Sequence, residues 1–142
     1  MDDSREYPLR PIVGVGAVVQ KGETVLLIRR GKPPLMGAWT LPGGAVELGE
    51  TLQEAIRREV CEECSIDIAV GRVVDAVDIL QHDDQGRVRF HYVVVDLAAT
   101  FISGDLRAAS DVQEARWVAP NDFGEYSLNE QTRRVVEEAL GR

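Results

Sequence analysis

At 142 residues, with 44% hydrophobic and 28% charged side chains, the chain can bury a core without staples and is too apolar to be disordered. A net charge of −8 leaves no basic stripe to displace counterions, which argues against a nucleic-acid polymer as partner; small phosphorylated substrates remain accessible once a cation masks their charge. No run approaches a membrane span, and the polar start Met1–Glu6 lacks the apolar centre of a signal peptide, so no membrane partner and a cytoplasmic location are expected.

In chain order, Ile12–Gln20 is an apolar, valine-rich strand, Lys21-Gly22-Glu23 a turn, and Thr24–Arg30 a second strand. Gly31–Gly37 is a loop with two prolines, and a short strand around Trp39–Leu41 leads to the loop residues Pro42-Gly43-Gly44. Thr51 with Glu54 forms a capping-box pattern, so a helix begins just after Glu50. After that helix, Ile66–Leu80 is rich in β-branched residues and interrupted by Gly71. His82–Gly86 is a polar turn, Val88–Leu97 returns as a strand, and Ala115–Val118 is another. Ser127 and Glu130 repeat the capping-box pattern ahead of a final helix ending near Gly141. With no internal repeat or linker, residues 1–142 are expected to form one α+β domain.

The first helix carries the chemistry. Glu59, Glu62 and Glu63 are spaced i, i+3 and i+4, so their carboxylates project from one side, a turn beyond Leu52, Ala55 and Ile56. An acidic run of this kind is often only a solvated helix face. Here it follows two glycines that let bare backbone approach a ligand. Acids crowded at the edge of a core repel one another unless a cation compensates them. Hard oxygen donors without His or Cys on that side favour Mg2+ or Mn2+ over zinc.

The stretch from Gly44 to Ile66, with Glu50 and Arg58-Glu59-Val60-Cys61-Glu62-Glu63, closely resembles the Nudix box, and Gly37–Gly44 resembles the lead-in common in that family. Ser65 departs from the usual Gly, which would cap the helix in the left-handed region. The resemblance implies a Nudix fold, an α/β/α sandwich with a mixed sheet packed between helices. It also implies metal-dependent hydrolysis of a diphosphate linkage in a small nucleotide substrate, and allows a homodimer. Glu59 and Glu63 would be metal ligands, Glu62 a ligand or the general base, and the backbone carbonyl of Gly43 a further ligand. Arg58 would orient Glu50. A second acid facing the metal is expected before a late strand, where Asp111 and Glu114 stand; Glu114 is the candidate base and Asp111 a candidate substrate contact. Each could equally be a solvated loop acid.

Substrate contacts are less legible. Arg29 and Arg30 end a strand and could reach phosphate or ribose, although strand-end arginines are commonly solvated. Trp39 could stack on a base or simply pack, and His91 and Tyr92 are expected to be structural. Cys61 and Cys64 form a CxxC at the wrong end of a helix for redox chemistry and are expected to be incidental. Markers that distinguish ADP-ribose cleavers (Pro) and dinucleoside-polyphosphate cleavers (Tyr) are replaced by Gln81 and by His82–Asp84. A nucleoside diphosphate joined to another group, of ADP-ribose or ADP-sugar type, is the leading substrate. A (d)NTP, including 8-oxo-dGTP, is the alternative, and a catalytically silent nucleotide sensor the third.

Overall fold

Alternation along the first two strands decides the layering. In β1 (Ile12–Lys21) Val15, Ala17 and Val19 enter one core cluster and Val18 another. In β2 (Thr24–Arg30) Leu26 and Ile28 join the first cluster, and Val25 and Leu27 the second. Both faces are buried, which is why these strands read as unbroken apolar runs. The computed structural model describes residues 5–33 and 35–142; Met1–Ser4 of the polar start, and Pro34 of the 31–37 loop, lie outside the described residues.

Helix α1 (Leu52–Cys64) covers the first face through Ala55, Ile56, Val60 and Cys64. The second is covered by a 3-10 helix (Pro120–Tyr126) and α2 (Glu130–Ala139), which insert Phe123, Val135 and Val136. The remaining strands are β3 (Trp39–Thr40), β4 (Gly43–Ala45), β5 (Asp67–His82), β6 (Val88–Ser103) and β7 (Val112–Val118). They complete a seven-stranded sheet of order β3-β2-β1-β6-β5, with β4 paired to β1 and β7 to β2. β1 and β6 run parallel from Ile12↔Tyr92 to Gln20↔Thr100, and the other pairs are antiparallel. The expected mixed sheet between helices is present. Among the described residues no helix is long and apolar enough to cross a membrane.

Several boundaries differ from expectation. Gly71 does not end β5: the strand passes through it with register shifts at Val70/Val73 and Val73/Asp75, so a bulge absorbs the glycine. β6 extends to Ser103 because its partner β5 is equally long. Gly43-Gly44 is not simply loop; it forms the short strand β4 against Gly14–Gly16. β7 begins at Val112, three residues before the expected start at Ala115, which moves Glu114 from a loop into a strand.

The caps make a clean contrast. Around α1 both capping-box bonds are present: Glu54 N–H donates to Thr51 Oγ1 (3.1 Å) and Thr51 N–H to Glu54 Oε1 (2.9 Å). Ser65 takes the left-handed position itself, at φ 63°, and its N–H reaches Cys61 O. The Ser127–Glu130 box is incorrect. Asn129 is the cap of α2, its Oδ1 accepting from Thr132 N–H at 2.7 Å, while Ser127 closes the 3-10 helix. Asn caps at least as well as Ser, and it sits where the first orphan N–H groups point. Thr51→Ala and Asn129→Ala should each lower the unfolding free energy by about 1 kcal/mol, read as a lower urea midpoint at unchanged slope. Ser127→Ala should leave the midpoint in place.

Candidate active site

Helix α1 delivers its acids to the edge of β4. Glu63 Oε1 accepts from Gly43 N–H at 2.9 Å. One turn earlier the Glu59 carboxylate lies against Gly44, where any Cβ would overlap it. Gly44 is therefore required for close approach. Burial raises the Glu59 carboxyl above its usual range, against the pull of Arg58. Burial pushes Glu63 up to about 8; the Gly43 N–H opposes the shift and the Glu59 charge adds to it. Glu62 departs from this pair: its side chain is 54% exposed against 16% for Glu59, so the three acids do not share one environment.

Arg58 organises the neighbouring acids. Its Nε and Nη2 donate to the two oxygens of Glu50 (2.6 and 2.8 Å), Nη1 donates to Glu59 Oε1 (2.7 Å), and Nη2 also reaches Ala45 O (3.0 Å). The contacts to Glu62 are longer, 3.4 and 3.5 Å. The Arg58 hydrogen bonds, helped by Glu47 N–H, hold Glu50 down at about 2. Arg58 is thus paired with Glu50 through both carboxylate oxygens and with Glu59 through a third bond.

Basic groups approach from the end of β2. Arg30, whose pKa is lowered by burial, is within electrostatic reach of Glu63, Tyr92 and Asp111. Lys32 pairs with Asp111 (Nζ to Oδ2, 2.9 Å) and lies within reach of both Glu59 and Glu63. Lys32 was not among the residues singled out from the sequence; only its place after Arg29-Arg30-Gly31 could have drawn attention to it.

Residues 10–139 match the NUDIX domain family. The chain belongs to the Nudix family. It is 32% identical over 131 residues to an ADP-ribose pyrophosphatase of Methanocaldococcus jannaschii, covering 91% of this chain and 75% of that one. It is 30% identical over 107 residues to the nucleoside triphosphatase NudI of Salmonella arizonae, covering 70% of this chain and 74% of the relative. Among solved structures, a MutT NUDIX hydrolase from Burkholderia pseudomallei superposes with a TM-score of 0.75 at 32% identity, covering 91% of this chain and 98% of that one.

Nudix hydrolases act with a divalent metal ion. As the side chains stand, no three His, Cys, Asp or Glu among the described residues are gathered to hold one, and the Arg58 guanidinium lies against Glu59. The donor chemistry nevertheless fits. Glu59 and Glu63 are part-buried, adjacent and raised by desolvation, an arrangement that a hard cation relieves.

The other residues considered from the sequence form a separate group on the β2–β3–β7 side. Arg29 stands in register with both Trp39 and Glu114. It donates to Gly37 O (3.2 Å) and pairs with Glu114 at 3.4 Å. Glu114 also pairs with Arg116 at 2.7 Å, and the Arg116 guanidinium lies 5.3 Å from the Trp39 ring centre. Tyr126 meets Trp39 edge-on at 4.9 Å. Trp39 is therefore packed by neighbours of its own, and Glu114 is held by two arginines in a strand rather than free on a loop. Asp111 alone of this late segment joins the acid cluster, through Lys32.

Cys64 is buried in the core and Cys61 is exposed, with no disulfide between them. Burial pushes the Cys64 thiol up to about 12. A thiol reagent should label one equivalent in native protein and two in denaturant, and Cys61→Ser should retain full turnover.

Proposed function

We propose that this pyrophosphohydrolase cleaves the diphosphate linkage of a nucleoside diphosphate joined to another group, of ADP-ribose or ADP-sugar type, with Mg2+ or Mn2+. The supporting observation is the pair of part-buried carboxylates, Glu59 and Glu63, one turn apart against bare glycine backbone. The similarity to an ADP-ribose pyrophosphatase over most of both chains supports the substrate class.

Glu59 and Glu63 would hold the ion, with the Gly43 carbonyl as a further ligand. A bound divalent ion would mask the diphosphate charge and lower the pKa of its water. Glu62, exposed and only loosely held by Arg58, is better placed than Glu114 to accept a proton or to complete the ligand set. Arg58 keeps Glu50 and Glu59 oriented. Arg30 and Lys32 would meet phosphate oxygens, with Asp111 holding Lys32 in place. Arg29 and Trp39 would act at the rim. The proposal extends to residues 1–142 as one domain, a cytoplasmic location and a homodimer, the last open to sedimentation analysis.

A second substrate reading, cleavage of a (d)NTP to monophosphate and pyrophosphate, is favoured by the similarity to NudI. Product analysis separates the two. ADP-ribose, ADP-glucose and the (d)NTPs with 8-oxo-dGTP should be offered with each metal, beside a Glu59→Gln control. AMP with a sugar phosphate supports the first reading, and pyrophosphate supports the second. Tight nucleotide binding without turnover of any compound would sink both and favour a sensor.

A further inference from the structure

Asp96 takes no part in the site described above. It is the only buried polar or charged residue among those described, at 6% exposure. No hydrogen-bond donor and no cation among the described residues meets its carboxylate; the charge that faces it is Asp75, its cross-strand partner. Burial, and then Asp75, push it up to about 7.

The sheet makes room for this group. Gly16, in mid-strand, pairs with Asp96, and any Cβ there would overlap Asp96 Oδ1. Glycine weakens a strand, and a carboxylate that is largely desolvated beside a second one is costly, although no side-chain oxygen among the described residues is both sealed from solvent and unpartnered. A branched residue at 16 with an apolar one at 96 would be more stable. Three strands set out this face in rows: Gly14, Val94 and Val77, then Gly16, Asp96 and Asp75. The next row inward, Val18 and Ala98, lies in the cluster under α2. Outward, Tyr92, Val94 and Ile79 belong to neither core cluster and remain part-exposed.

On the other side of β1 the Asp96 row continues to Gly43, whose N–H holds Glu63. Two strand spacings, roughly 10 Å, separate Asp96 from Gly43, and only Gly16 stands between them. Asp96 shares the face under α2 with Val18 and Ala98, whereas Glu59 and Glu63 come from α1 on the opposite face; a ligand that touches both passes round the bare β4 edge, where Gly43 N–H meets Glu63.

We propose that Asp96, backed by Asp75, is a specificity-determining residue that accepts hydrogen bonds from adjacent N–H or O–H donors on the non-reacting end of the substrate. A nucleobase amino edge and a ribose diol share that chemistry. The placement rests on the phosphate end lying at Glu59 and Glu63, as proposed above.

The test compares wild type with the isosteric Asp96→Asn and with Gly16→Ala, which would displace the carboxylate by its methyl group. Steady-state kinetics on the best substrate should show KM raised about 10- to 100-fold, kcat within twofold, and melting temperatures near wild type. Metal-free calorimetry with adenosine, inosine and 2′-deoxyadenosine should show the same loss for adenosine in both variants. Wild-type discrimination against inosine assigns the contact to the base amino group; discrimination against the deoxynucleoside assigns it to the diol. Should wild type hydrolyse nothing yet bind adenosine through Asp96, the phosphate-site reading fails and this contact stands. Unchanged KM together with unchanged or undetectable nucleoside binding in both variants overturns the proposal.

Discussion

Glu63→Gln is expected to lower turnover about 10³-fold while raising the stability of the metal-free protein. The carboxyl is largely desolvated and sits at about 8 for that reason, so near neutral pH the fold either takes up a proton or bears a costly charge, and a neutral amide of the same shape removes that cost. The sign of the pH dependence follows. A carboxyl whose pKa is raised in the folded state, from an ordinary 4.5 to about 8, retains a proton that the unfolded chain releases. Wild-type stability is therefore full below the lower value and is lost as pH rises through the upper one. In Glu63→Gln this part of the slope should vanish, leaving the smaller contribution of Glu59, which is raised in the same direction. Urea midpoints at pH 5 and pH 8 check it, and added Mg2+ should stabilise wild type but not the variant. A variant that retains wild-type turnover would remove Glu63 from the metal site.

The second large effect separates two adjacent glycines. A Cβ on Gly43 would overlap Val15 O and come within 2.9 Å of both Val15 C and Gly16 Cα, all of them backbone atoms. Nothing there can rotate away, so β1 and β4 must part. Gly43→Ala should cost about 3 kcal/mol or more and loosen the hold on Glu63. The three atoms nearest a Cβ on Gly44 all belong to the Glu59 side chain, which can swing aside. Gly44→Ala should therefore keep most of its stability and lose most of its turnover. Thermal melts beside kcat for the two variants test the contrast; equal stability losses would refute it.

The chemistry-bearing helix was legible because everything that builds it is local. Thr51 and Glu54 set its start, the spacing of Glu59 and Glu63 sets their shared edge, and Ser65 adopts the cap conformation expected there. The tertiary partners were not legible. That Glu62 faces solvent, that Glu114 is locked between Arg29 and Arg116, and that Lys32 reaches the acids all depend on how β2, β7 and α1 meet. Strand ends failed for the same reason: β5 and β6 extend each other by pairing, and local composition carries no record of a partner's length. At Ser127 the error was local. Two residues further on, Asn129 was the better cap.

The parallel pairing of β1 with β6 also bears on how the chain folds. Ile12 finds its partner at Tyr92, and α1 with its acids is complete in sequence before that partner exists. On a ribosome adding 5–20 residues per second, eighty positions correspond to roughly 4 to 16 s of waiting, during which an early valine-rich strand lacks its central neighbour. Non-local pairing of this kind slows folding through loop-closure entropy. The two glycines within β1 lower its tendency to pair with the wrong chain in that interval. Gly16, which keeps a carboxylate seated in the finished sheet, thus also lessens the aggregation risk of the unfinished one.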